Sequence, residues 1–193
     1  ISPLKINVAG KINLFCFDKT GSLTENDLDT KGVIPVSNKK LMTEVEVTDL
    51  KDSNLLEILA SCHSLTKIEN QLLGDPLDIK MFESTGWELI ENDNEGDLNI
   101  EAIVSDPKKP NHRISIVKRN DFSSKLQRMS VVVKSLIGYD VFVKGSPEKI
   151  TELCKAETIP TNFHDVLDLY AKVLLIIILV WIPNNCFWKK ENH

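Results

Sequence analysis

An apolar run that ends on a potentially reactive acid constrains this chain more than any other feature. Residues Ile12-Asn13-Leu14-Phe15-Cys16-Phe17 give way at once to Asp18-Lys19-Thr20-Gly21-Ser22-Leu23-Thr24. A strand covered on both faces needs no polar alternation, so residues 12–17 read as a buried parallel strand. Open α/β sheets carry their chemistry at the C-terminal ends of such strands. An aspartate in that place, beside Lys19 and a hydroxyl-glycine turn, is set to attack phosphorus as a carboxylate nucleophile. Backbone N–H groups of Thr20, Gly21 and Ser22 would hold phosphoryl oxygens while Mg²⁺ neutralises their charge. Six fixed positions and one Ser/Thr choice recur by chance about once in a billion positions, which makes coincidence a poor explanation.

The rest of the chain narrows the class. With 193 residues it is long enough for a full domain and part of another, and 8 Gly and 8 Pro exclude collagen-like or low-complexity chains. A net charge of −5 argues against a nucleic-acid binder that works by phosphate neutralisation. Cys16, Cys62, Cys154 and Cys186 lie far apart without CxxC spacing, which is neither a zinc pattern nor a disulfide framework. The run 173–182 is about half the length that a transmembrane helix needs, so no transmembrane segment is expected.

Past the motif, residues 37–40 read as a polar linker. Residues 54–64 read as a helix, with Leu55, Leu56, Ile58, Leu59 and Cys62 at helical spacing. Asp75 before Pro76 predicts an N-cap and a second helix that ends at Gly86. The stretches 92–99 and 106–111 predict mobile connections. Segments 113–118, 128–135 and 139–144 predict an antiparallel sheet, followed by a short helix over 147–155.

The motif and its surroundings together resemble the type V P-type ATPases, in the B branch that transports polyamines (cation-transporting ATPase 13A-like). Their signature Asp-Lys-Thr-Gly-Thr-Leu-Thr differs here only by Ser22, which keeps the hydroxyl. Further matches are Gly74-Asp75-Pro76-Leu77-Asp78, Lys80-Met81-Phe82-Glu83, Phe122-Ser123-Ser124, Leu126-Gln127-Arg128-Met129 and Lys144-Gly145-Ser146-Pro147-Glu148. The resemblance covers about residues 1–170. It implies a mixed α/β and α+β chain: residues 1–35 open a Rossmann-like, haloacid-dehalogenase-type phosphorylation domain, and residues 36–172 form an antiparallel-sheet nucleotide-binding domain with flanking helices. Residues 173–193 are left as a divergent or truncated tail.

By this resemblance Asp18 is phosphorylated by ATP, with Lys19 and Thr20 completing the catalytic group. Asp18 and the Thr20 carbonyl become the Mg²⁺ ligands. Related phosphatases place a second Asp where Thr20 stands, so rapid hydrolysis of the phosphoenzyme is not expected. Phe122 is implied to stack on adenine, Asp75 to recognise its amino group, and Lys144 with Gly145 to approach the phosphates. Arg128 takes the cationic role that other members give to a lysine at the place of Gln127. His63, inside an apolar helix, reads as a packed structural histidine.

A complete pump adds membrane and actuator domains and the rest of the phosphorylation domain. The Thr-Gly-Glu and Gly-Asp-Gly loops of those parts do not occur in these residues. The resemblance therefore implies a catalytic segment on the cytosolic face of an endosomal, lysosomal or other endomembrane pump. The remaining domains of that pump are its partners, and the isolated chain is incompetent for transport. The alternative is a non-enzymatic nucleotide-binding or regulatory module from a truncated product. The run 173–182, β-prone and uncharged, predicts self-association unless it finds a strand partner, for which 12–17 is the obvious neighbour.

Overall fold

A computed structural model describes residues 10–14, 16–17, 30–50, 53–91, 100–109, 111–135, 138–171 and 178–182. Within this frame the polar segment at 37–40 is a tight hairpin rather than a linker. Strands β1 (Val36–Ser37) and β2 (Lys40–Leu41) pair across Asn38 and Lys39, both at positive φ (49° and 60°). Two-residue hairpin loops require that left-handed geometry because it matches the strand twist. After a 3₁₀ turn at Val47–Asp49 comes helix α1 (Ser53–Ser61), whose Ile58 and Leu59 are buried, as their spacing predicts. A second small hairpin follows, β3 (Thr66–Ile68) with β4 (Gln71–Leu73), turning on Glu69 and Asn70.

Helix α2 (Pro76–Thr85) has both ends where the residues place them. Asp75 Oδ1 accepts the Leu77 N–H at 2.9 Å, Pro76 stands in the first turn, and Gly86 takes the left-handed C-cap at φ 68°. Beyond it lie β5 (Glu88–Glu91), β6 (Ala102–Ser105), β7 (Arg113–Ser123), β8 (Arg128–Lys134) and β9 (Tyr139–Gly145). The short helix α3 (Pro147–Leu153) is capped by Ser146, and helix α4 (Phe163–Ala171) precedes β10 (Ile178–Ile182).

Six of these strands form one antiparallel sheet in the order β10-β9-β8-β7-β6-β5. Its main core face carries Leu89, Val104, Ile114, Ile116, Val131, Val133 and Phe142. These residues close over Ile58, Leu65 and Phe82, from α1, the following turn and α2. The antiparallel half of the expected architecture, with flanking helices, is therefore present. Segment 106–111, where it is described, closes as a hydrogen-bonded turn. Asp106 is buried, and its carboxylate accepts the Lys108 N–H at 2.9 Å, closing the β6–β7 turn. The stretch 92–99 lies outside the described residues.

Two expectations change. Ile12, Leu14 and Phe17 are exposed and the described part of 12–17 has no strand pairing, so the predicted buried strand is not formed there. The physical reason is that a parallel strand needs a cover on both faces, and Ile12, Leu14 and Phe17 have no such cover. Conversely, the second half of the apolar run is not paired with 12–17. Residues 178–182 form β10, zipped antiparallel to β9 from Ile178 opposite Gly145 to Ile182 opposite Val141. Among the described residues no helix is long and apolar enough to cross a membrane.

Candidate functional site

Phe122, Arg128, Lys144 and Gly145 fall at one end of the β7–β8–β9 ladder. The register pairs Met129 with Lys144 and Arg128 with Gly145, and on the other side Arg128 with Ser123. Between Asn120 and Ser123 the ladder slips, so Asp121 and Phe122 together face Met129. Bulges of this kind re-aim side chains and are frequent beside functional sites. Phe122 is 62% exposed on this bulge, which places it at the lip of the sheet and not in the core. Two strand spacings separate the bulge from Lys144, about 10 Å.

Lys144 is almost fully buried, and its Nζ forms an ion pair with Asp78 Oδ1 on α2. Asp78 is equally buried, and its second oxygen accepts the Ser64 backbone N–H at 3.4 Å. This pairing was not anticipated from the sequence, which pointed to Asp75 instead. Asp75 lies one turn earlier, exposed, with its carboxylate engaged as the α2 cap. A signal for Asp78 did exist: it stands three residues after the cap and three before Met81, on the buried side of an amphipathic helix. A charge there demands a partner.

Gly145 has a tighter reason to be glycine than ligand approach. An added Cβ would stand 2.5 Å from the Gln127 carbonyl oxygen and 2.9 Å from Arg128 Cβ. Gln127 itself turns the β7–β8 hairpin at φ 50°, and its carbonyl accepts the Ser146 N–H at 3.1 Å. Arg128 is half-buried. Because neighbouring strand residues point to opposite faces, it leaves the sheet on the side away from Met129 and Lys144.

The floor beneath the ion pair is neutral. His63 is fully buried; its Nε2–H donates to the Ala60 carbonyl at 2.9 Å and its Nδ1 accepts the Leu65 N–H at 3.2 Å. Burial, with the nearby Arg119 and Lys144 charges, lowers its pKa to about 3. It packs edge-on against Phe82 with ring centres 5.1 Å apart, the structural role its helix implied. Burial likewise pushes the Cys62 thiol up to about 12, so it is protonated and unreactive at neutral pH. Chemically, the site offers an exposed aromatic face, a buried carboxylate that accepts hydrogen bonds, and an ammonium beside it. Asp18, Lys19, Thr20, Gly21 and Ser22 lie outside the described residues, so the structure brings together only the second group of candidates.

No protein-family model matches the chain. It is similar to the polyamine-transporting ATPase 13A3 of Mus musculus, at 39% identity over 224 residues, covering 100% of this chain and 18% of that protein. The human polyamine-transporting ATPase 13A2 is 42% identical over 185 residues, covering 88% and 16%. The mouse probable cation-transporting ATPase 13A4 is 40% identical over 184 residues, covering 88% and 15%. The chain thus spans less than a fifth of the length of these curated relatives.

Proposed function

Because this chain belongs to the type V P-type ATPases, the family of the polyamine- and cation-transporting 13A pumps, we propose that it is the segment that binds ATP and accepts its γ-phosphate on Asp18. The proposal extends to its setting: the cytosolic face of an endomembrane pump, driving transport of a polyamine or another cation with the pump's remaining domains. The observation that supports it most is the meeting of Phe122 with the Lys144–Asp78 pair at one sheet end, in a chain that carries the Asp18 motif.

In this reading adenine stacks on the exposed face of Phe122, and a purine amino group donates to the exposed Asp75 carboxylate, whose Oδ1 also caps α2. Lys144 balances the buried carboxylate and adds positive potential on the phosphate side. Residues 12–17, not a strand among the described residues, would form the Rossmann-like strand end only beside the rest of the pump's phosphorylation domain. There an Asp18 oxygen attacks the γ-phosphorus, the bond to the β–γ bridging oxygen breaks, and ADP leaves with that electron pair. Lys19 adds positive potential, and the N–H groups of Thr20, Gly21 and Ser22 hold the transferred oxygens. The Asp18 carboxylate and the Thr20 carbonyl are hard oxygen donors of the kind Mg²⁺ prefers; the ion supplies charge neutralisation when bound.

Calorimetric titration of the chain with ATP tests the binding half. Binding in the high micromolar to millimolar range is expected, at most about 5 kcal/mol, and Phe122→Ala should weaken it by about 1 kcal/mol through lost stacking. No heat at millimolar ATP would refute the site. In the complete pump, ATP should yield a hydroxylamine-sensitive phosphoenzyme that Asp18→Asn abolishes.

A further inference from the structure

One residue outside the motifs joins the two halves of this site. Ser64 follows α1 and uses both of its donors on carboxylates. Its backbone N–H reaches Asp78 Oδ2 at 3.4 Å, and its hydroxyl reaches Asp121 Oδ1 at 2.7 Å. Asp78 is the partner of Lys144, and Asp121 is the bulge residue next to Phe122. Ser64 thus touches the anchor of the cation and the anchor of the aromatic platform, across 57 positions of sequence in the second case.

The bulge needs such an anchor. An extra residue in one strand leaves backbone groups without ladder partners, so a bulge has more conformational freedom than regular strand and its exposed side chain would sample several directions. A short, charge-assisted hydrogen bond from a serine seated beside the fully buried His63 removes that freedom at one end.

We propose that Ser64 is a positioning residue for nucleotide recognition: through Asp121 it holds the Phe122 ring at a set distance from the Lys144–Asp78 pair, and so matches the spacing between a purine and its phosphates. The inference rests on the nucleotide reading above. A ligand that uses only the cation should be indifferent to Ser64, whereas one that must reach both groups should depend on it.

The test measures binding of ATP and of inorganic tripolyphosphate to the chain and to Ser64→Ala, Ser64→Thr and Asp121→Asn. Ser64→Ala should weaken ATP binding about three- to tenfold, the range of a lost exposed hydrogen bond, and leave tripolyphosphate unchanged. Ser64→Thr, which keeps the hydroxyl, should restore ATP affinity. In a Phe122→Ala background Ser64→Ala should have no further effect, and amide exchange at Phe122 and Ser123 should quicken in Ser64→Ala. Equal losses for both ligands, or none for ATP, would overturn the positioning role while leaving the nucleotide site standing. A wild-type chain that binds no ATP would instead remove the nucleotide reading and this inference with it.

Discussion

Lys144 and Asp78 show how much one pair of side chains decides here. Taking both charges out of water costs several kcal/mol each, and their attraction only about repays it. The pair therefore contributes little net stability, but removing one partner strands the other. Asp78→Ala is expected to cost about 3 kcal/mol or more in urea unfolding, whereas Asp78→Leu combined with Lys144→Met should stay near wild type. Nucleotide binding should fall in both. A single substitution that leaves stability unchanged would mean that water, not the partner, solvates the charge. His63 gives a second test. Its folded pKa of about 3 lies below the ordinary 6.5, so an unfolded chain takes up a proton that the native chain refuses. Its contribution is complete above pH 6.5 and is lost as pH falls from there toward 3, at up to about 1.4 kcal/mol per pH unit. His63→Gln should flatten that slope between pH 6.5 and 5 in urea titrations, measured against the wild-type chain.

At the level of elements, the two ends of the sheet domain are clasped by a side chain that imitates a strand. Asn162, just before α4, accepts the Leu41 N–H at 2.8 Å and donates to the Leu41 carbonyl at 3.0 Å, and the Thr161 N–H reaches the Lys39 carbonyl at 2.9 Å. This clasp stabilises β1–β2, a two-residue pairing that would not persist alone. Asn162→Ala leaves both Leu41 groups without those partners, and should cost about 1 to 2 kcal/mol and speed amide exchange at Leu41. Unchanged exchange there would show that the hairpin is held from elsewhere. Helix α2 is the opposite case: its cap, first-turn proline and terminal glycine are local signals and all three were legible. The hairpins were not, since strands of two or three residues are too short for a period. Lys39 and Glu69 at positive φ are also not residues that announce a turn.

For the molecule as a whole, the apolar run near the C-terminus changes meaning once its partner is known. Unpaired, an uncharged β-prone segment is an aggregation hazard. Paired along five residues with β9, the described part of it covers the β9 edge and becomes the outer strand of the sheet. A chain ending at Ala171 would bare the β9 edge from Val141 to Gly145, which includes the backbone of Lys144. Such a chain is expected to melt at least several degrees lower, as a loss of 1 to 2 kcal/mol implies at this size, and to scatter more light on standing. A truncated chain as stable and monodisperse as the full one would show that β10 adds nothing to the sheet.

Local order and chemical identity were carried by the residues themselves. The capped α2, the three long strands and the structural place of His63 could be read because each depends on neighbours within a turn or a strand. Which groups meet could not. Asp78 and Lys144 lie 66 positions apart, and Ser64 and Asp121 lie 57 apart. Nothing in either local pattern names the other partner, because a buried charge states only that it needs compensation. The bulge that exposes Phe122 is likewise a product of β7 pairing with β8, invisible in the strand's own period. The same holds for β10, whose composition gave it a strong β tendency and no address. Tertiary structure supplied the address, since hydrogen-bonding a strand edge takes a second strand, and only the folded sheet decides which one is within reach.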